Sequence, residues 1–469
     1  MKTLGSAAAL VLVGLSLLVG NVGAQTLNVL HWFGSTPNDG INPQAVLMQG
    51  SDGNFYGTTS SGGTNGDGNV FRISPSGSFT SLYSFGRSLT DGQSPDFGLV
   101  QASDGNFYST TGLGGSNNEG TVFRISPSGT ETTLYQFGST PIDGQTPSSG
   151  LVQGSDGNFY GTTYYGGITN WGTVFRTSPS GSYTSLYSFG STPSDGENPV
   201  GGVIQGSDGN FYGTTYHGGT NGDGSVFRIS PSGYYTNLYS FVGSPGDGAN
   251  PNAGVVQGSD GDFYGTTLYG GAANHGTVFR INPSGVYTSL YSFIGQPFPN
   301  NYGFVPFAGL VQGSDGNFYG TTVFSSIGYG SIFRTTPTGN LTYLYFFQNP
   351  TNGKGPVATV VQGADGSFYG TAEQGGTSNS GTIFKLTVPL NQPANQISAV
   401  QPVGNDMAVS LPSVAGETYQ LQFTTDLTSG NWSNVAGVSV TNSIGALMTL
   451  TNFGGALLPR GFYRFDITP

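Results

Sequence analysis

The chain has 469 residues, a formal net charge of −12, only 8% charged residues, 81 glycines and no cysteine. The acidic balance argues against a nucleic-acid or anionic-membrane partner, which would need clustered Lys and Arg. The absence of thiols removes disulfides, thiolate chemistry and Cys-ligated metals.

Met1-Lys2, an apolar stretch from Leu4 to Val19 and the small residues of Val22-Gly23-Ala24 read as a secretory signal peptide cleaved after Ala24. As a membrane anchor the apolar core is short, and its C-terminal flank carries no charge. The expectation is an exported protein (secreted, cell-surface or periplasmic) with no membrane insertion after cleavage.

Ser51-Asp52-Gly53-Asn54-Phe55-Tyr56-Gly57 then recurs from Ser103, Ser155, Ser207, Ser259, Ser314 and Ala364, at steps of 52, 52, 52, 52, 55 and 50 residues. A fixed period of that length marks a repeat architecture. Within one copy, Leu151-Val152-Gln153, Asn158 to Thr163, Thr173 to Thr177 and Tyr183 to Phe189 are short runs rich in β-branched and aromatic residues. Asp-Gly and Pro-Ser-Gly turns separate them, supplying the positive-φ positions of tight hairpins. Four strands per repeat predict one blade of a β-propeller.

The two ends of the repeat array predict a closed ring. The strand-four phrase at Leu82, Leu134, Leu186, Leu238, Leu290 and Leu344 is missing after the seventh copy, where Thr382-Ile383-Phe384-Lys385 runs on to Val388-Pro389. Its match stands at the other end: Leu30-His31-Trp32-Phe33 followed by Ser35-Thr36-Pro37-Asn38-Asp39-Gly40. The reading is an all-β, seven-bladed β-propeller closed by its N-terminal strand, over residues 25–388.

After a linker at 389–397, residues 398–469 lose the repeat. Met407 to Leu411, Thr418 to Thr424 and Phe462 to Phe465 alternate like strands, with Trp432 between them. These residues resemble the small C-terminal β-sandwich of exported bacterial proteins, fibronectin-like in size.

The repeat Leu-Val-Gln-Gly-Ser-Asp-Gly-Asn-Phe-Tyr-Gly-Thr-Thr, with its Gly-Thr-Val-Phe-Arg and Ser-Pro-Ser-Gly phrases, resembles the bacterial GloVer tandem-repeat family over roughly Thr26 to Leu386. The resemblance implies an exported protein, often tethered by a C-terminal anchor, and it implies no activity. No apolar tail, basic terminus or sorting motif follows Phe465.

Chemistry is sparsely marked. Strand three carries one basic residue per repeat (Arg72, Arg124, Arg176, Arg228, Arg280, Arg334 and Lys385), and the first turn carries Asp52 and its six counterparts. Gln49 and its counterparts close strand one. Rings of charge around a channel are one reading. The other is that each residue supports its own blade, as an Asp-Gly turn, an Arg beside a Tyr and a Gln bonding backbone. A site rarely needs seven identical copies, so the second is expected. No nucleophile elbow, zincin motif or P-loop is present, and His31, His217 and His275 are the only histidines. No catalytic residue, metal or cofactor is therefore assigned.

Variation between copies is concentrated in the loops after strands two and four, which open on one face. Tyr165, Trp171, Tyr216, His217, Tyr269 and His275 gather there on blades three to five, with Phe324, Tyr329 and the insertion Gln296 to Phe307 alongside. Loops on a rigid scaffold are the usual home of binding residues, whereas aromatics packed over the rim would merely shield the blades. The functional expectation is a monomeric, non-enzymatic binding or adhesion module whose six named residues recognise an extracellular polysaccharide or surface protein. A secreted polysaccharide-active enzyme and a purely structural surface protein are the alternatives.

Overall fold

The computed structural model describes residues 25–36, 38–140, 142–294, 303–326 and 328–388, and six strands between 399 and 468 of the tail. The leader, the linker, most of the insertion at 296–307 and Trp432 lie outside the described residues.

Seven antiparallel sheets make up the propeller, each with four blade strands, and blade three's sheet gains Gly144–Pro147 as a fifth. In blade three the order is Val152–Gln153, Phe159–Gly166, Thr173–Thr177 and Tyr183–Ser188, from the axis outward. Strand two is buried along its first five residues, since both faces of the sheet meet a neighbouring blade, whereas strand four is only half-buried at the rim. The seventh sheet is completed as expected. Thr26–Trp32 pairs with Thr382–Thr387, from Thr26↔Thr387 to Trp32↔Thr382 with a bulge between Val29 and His31.

Strand one is shorter than its sequence promised, two residues in every blade. Near the axis the segments before it converge on one another and give up the ladder. There Gly150 sits so close to blade two that a Cβ would lie 2.4 Å from the Gly98 carbonyl oxygen.

Three bonded rings join the blades. Alternation along strand two sends Phe159 toward the preceding blade and Tyr160 toward the next. Tyr160 stacks on Phe211 and Phe159 on Tyr108, and the pattern closes through Tyr319–Phe368 and Tyr369–Phe55, with centroids 3.9–4.1 Å apart. The strand-two threonine of each blade, such as Thr214, donates to a channel-lining carbonyl of the next, here Ala253, and Thr371 closes the circle on Ala45 at 3.2 Å. Each strand-one glutamine accepts from the first-turn backbone N–H of the preceding blade at 2.8–3.3 Å, from Ser51–Gln101 round to Ala364–Gln49. Its amide donates to the glycine carbonyl of its own turn, as Gln205 does to Gly209 at 3.0 Å. The glutamines are latches between blades.

At the rim, Tyr187 of strand four stacks on Tyr235 of the next blade at 4.1 Å and donates to Asp195 at 2.7 Å. His31 reproduces this in the closing strand, stacked on Phe79 at 3.9 Å and paired with the buried Asp39 at 3.1 Å. Blade six begins strand four with Leu341 and the closing strand has Leu27 at that place, but blade two departs further, with a charge. Glu131 stands in blade two where Phe79, Tyr183, Tyr235 and Tyr287 begin strand four. Burial, and after it the Asp91 carboxylate, push Glu131 up to about 7.

A carboxyl whose folded value lies above its ordinary one binds its proton preferentially when folded. Its contribution is therefore full below the ordinary 4.5 and is lost as pH rises through about 7. Glu131→Tyr is expected to restore the aromatic contact, worth about 1 kcal/mol, and to flatten the fall in stability with rising pH. Melting curves at about pH 5 and about pH 8 test both effects. A variant that melts no higher than the parent at the upper pH would remove the stacking argument.

In the tail, Ala399–Val403, Asp406–Pro412 and Leu447–Asn452 form one three-stranded sheet, and Ser433–Thr441, Thr418–Thr424 and Phe462–Thr468 another. Tyr419 and Leu421 are fully buried there. Among the described residues no helix is long and apolar enough to cross a membrane.

Candidate ligand-binding face

The two faces of the ring are chemically unlike. The turn face repeats one hydrogen-bonded unit in every blade, with Asp262 and Ser367 replacing its asparagine in blades five and seven. Asp156 accepts the Asn158 backbone N–H at 3.1 Å, the Asn158 side chain at 2.7 Å and the Tyr160 hydroxyl at 2.8 Å. Burial pushes Asp156 up, but those hydrogen bonds outweigh it and hold the carboxyl below its ordinary value. Tyr160 is pushed up to about 12 by burial first and then by the adjacent Asp156. Arg176 lies opposite Tyr160 in the ladder, and in blade seven Lys385 reaches Asp365 at 2.7 Å. Asp, Tyr and Arg or Lys form one device per blade, so these residues act as blade supports.

The opposite face carries the differences between copies. Residues following strand four turn back and pair with residues following strand two, as Gly196–Glu197 does with His217–Gly218 and Gly248–Ala249 with Tyr269–Gly270. The expected loops are therefore small two-stranded ribbons. Three predicted residues occupy the same ribbon position: Tyr165, His217 and Tyr269, with Phe324 as their fourth counterpart. Tyr165, Tyr269 and Phe324 are 45%, 41% and 52% exposed.

Tyr216, half-buried, meets His217 edge-on at 4.6 Å. Its hydroxyl is raised by burial first and then by the neighbouring Tyr269 and Tyr164. Tyr164, Tyr216 and Tyr269 thus stand near one another across blades three to five.

Trp171 and His275 occupy a second repeated position, one apiece in blades three and five. Trp171 lies over Gly190, where a Cβ would meet its ring at 2.5 Å, and its carbonyl accepts from Asn198 of the next blade. His275 lies 5.2 Å from Phe304, which in turn stacks near Phe324 at 5.8 Å. The six predicted residues share the face, and of them Tyr269 lines the clefts described next.

Among the described residues, a concavity of about 360 Å³ lies at the rim between Asp39 and Arg87, and three more open on or beside this face nearer the variable aromatics. The channel, about 350 Å³, is walled by the segments before strand one, among them Ala45, Ser149, Gly201 and Ala358. Asp96 is the only ionisable residue among those lining it, and one of its carboxylate oxygens is buried without a partner. Burial pushes Asp96 up to about 7. Next to the channel is a cleft of about 380 Å³ between Tyr269, Phe307 and Phe324, floored by Leu268, Val305, Val323 and Val357. Its polar edge is Glu373 with Gln44, whose amide donates to Glu373 Oε1 at 3.1 Å. Across Tyr269, toward the rim, a polar cleft of about 400 Å³ is lined by Asp223, Ser244, Asn250 and Asn274.

Sequence reasoning missed Asp96 and Gln44 as lining residues and had Phe307 only as the end of the insertion. They are equivalent positions immediately before strand one, and aligning the seven copies there would have shown their variation.

The model of the Gloeobacter/Verrucomicrobia repeat matches residues 19–155, 140–323 and 202–405. The chain belongs to this family. No curated protein matches this Gloeobacter/Verrucomicrobia repeat protein in sequence. Among solved structures it is similar to the extracellular domain assigned to the hybrid two component system BT3049 of B. thetaiotaomicron, with a TM-score of 0.51 and 12% identity. That similarity covers 94% of this chain and 57% of the other. The extracellular domain assigned to BT4673 of the same organism has a TM-score of 0.52 at 14% identity, covering 94% and 59%. The repeat protein thus spans less than two thirds of these domains, and identities so low show the shared propeller fold alone.

Proposed function

We propose that the protein is an exported binding or adhesion propeller that takes extracellular glycan chains on its loop face. One observation carries this reading: large aromatic side chains stand exposed at one repeated ribbon position, on blades three, five and six. A sugar ring offers an apolar face for stacking and a hydroxyl edge for hydrogen bonds. The polar cleft beside Tyr269 supplies such partners in Asp223, Asn250 and Asn274.

Export rests on the first 24 residues. A second reading, a polysaccharide-active enzyme, is favoured by Asp96 alone, a channel carboxyl with one buried oxygen lacking a partner and pushed up to about 7 by burial.

The test is a glycan panel screened against the protein lacking its leader. Tyr165→Ala, Trp171→Ala and Tyr216→Ala are each expected to weaken binding several-fold, since stacking residues at a site centre cost about 1–3 kcal/mol when truncated. Asp156→Ala should lower the melting temperature and spare affinity. Neutral aromatic variants, or a ligand mapped to the turn face, would sink the assignment. Cleavage of the bound glycan would decide for the enzyme.

A further inference from the structure

We infer that the channel-side cleft between Tyr269, Phe307 and Phe324 is a binding site for a quaternary ammonium group. The inference goes beyond the glycan reading and shares only Tyr269 with it.

The chemistry of the walls selects the ligand. Among the described residues, three aromatic rings and four aliphatic side chains surround about 380 Å³, and polar side chains enter at one edge, as Glu373 and Gln44, apart from the Tyr269 hydroxyl. A neutral sugar placed there would bring several hydroxyls to a cleft with few partners, and each unmet donor or acceptor costs free energy. A primary ammonium has three N–H donors and meets the same shortage. A quaternary ammonium has no donor to satisfy. It needs apolar contact for its methyl groups, aromatic faces for its charge and a carboxylate nearby.

The cleft offers each of these. Gln44 occupies one oxygen of Glu373 from the side, so the carboxylate is held in position at the edge. Lys354, on the adjoining loop, is 5.4 Å from the centre of the Tyr329 ring and is not among the residues lining the cleft. The net charge of −12 favours approach of a cation over an anion.

Titration calorimetry of the propeller-bearing chain compares choline with its neutral carbon isostere, in which a carbon replaces the nitrogen. The two fill the same volume and differ in charge. Choline is expected to bind about tenfold more tightly, the value of a partly desolvated cation–π site. Tyr269→Ala and Phe324→Ala should each weaken choline several-fold. Glu373→Gln should weaken choline and leave the isostere unchanged. All three positions are half-buried or exposed, and an unchanged melting temperature confirms that each variant is folded.

Equal affinity for choline and the isostere, no effect of Glu373→Gln, or no binding of millimolar choline would each overturn the assignment. Trp171→Ala tests the two readings apart, because it should weaken glycan binding and leave choline binding unchanged.

Discussion

A chain lacking residues 26–33 is expected to lose several kcal/mol of stability, the largest effect of any short deletion in the propeller. The deletion strips the outer ladder from Thr382–Thr387 and leaves an open edge in blade seven. It empties the site of Phe33, fully buried among Leu47, Phe71 and Ile383, and loss of a buried Phe side chain alone costs about 3–5 kcal/mol. It also takes His31 from the buried Asp39, leaving a carboxylate in the rim without its ring partner. Urea unfolding monitored by tryptophan fluorescence and circular dichroism measures the loss. A synthetic peptide of residues 26–33 added in trans should restore part of it. A truncated chain that unfolds at the parent's midpoint would show that the other blades hold the ring without its clasp.

The next largest effect is expected at Tyr160. Its side chain is 1% exposed, stacks on Phe211 at 3.9 Å and donates to Asp156 at 2.8 Å. Tyr160→Ala removes the ring from a blade interface that cannot collapse, because both sheets are fixed by the circle, and should cost about 4 kcal/mol. Tyr160→Phe keeps the stack and loses only the hydroxyl. Asp156 keeps its two bonds from Asn158, so the expected cost is about 1 kcal/mol. Denaturation midpoints of the two variants separate stacking from hydrogen bonding. Equal losses would assign the interface to the hydroxyl instead.

Much of this ring was legible in the chain because its information is local. The turn residues of Ser-Asp-Gly-Asn, the β-branched runs and the absent fourth strand after Leu386 lie within one period, and the matching Leu30 to Phe33 needed only the same pattern found elsewhere. The bonds between blades were not legible. Gln205 has a partner in its own turn, Gly209, and another in the preceding blade, Ser155, and sequence gives no sign of the second. Tyr160 and Asp156 are four residues apart across a turn, and it is the fold of that turn, not the strand period, that brings the carboxylate under the hydroxyl.

On the loop face the residue types were readable and their grouping was not. Tyr165, His217 and Tyr269 fall in register because the ribbons repeat. The cleft walls, by contrast, come from Gln44, Phe307 and Glu373 in three different blades.

The clasp that closes the circle also sets how the molecule bears load. Thr26 lies opposite Thr387, so the two ends of the ring leave the same end of one antiparallel ladder. Tension between those ends would part the strands one pair at a time, from Thr26/Thr387 toward Trp32/Thr382, the weak direction in which hydrogen bonds break in sequence. Tension applied between residue 388 and a ligand on the loop face would not pull on the start of the Thr26–Trp32 strand and would spread through the blades, whose interfaces are bonded all the way round. Held by its tail alone, the propeller is a firm handle. Held by both ends, it is a zip.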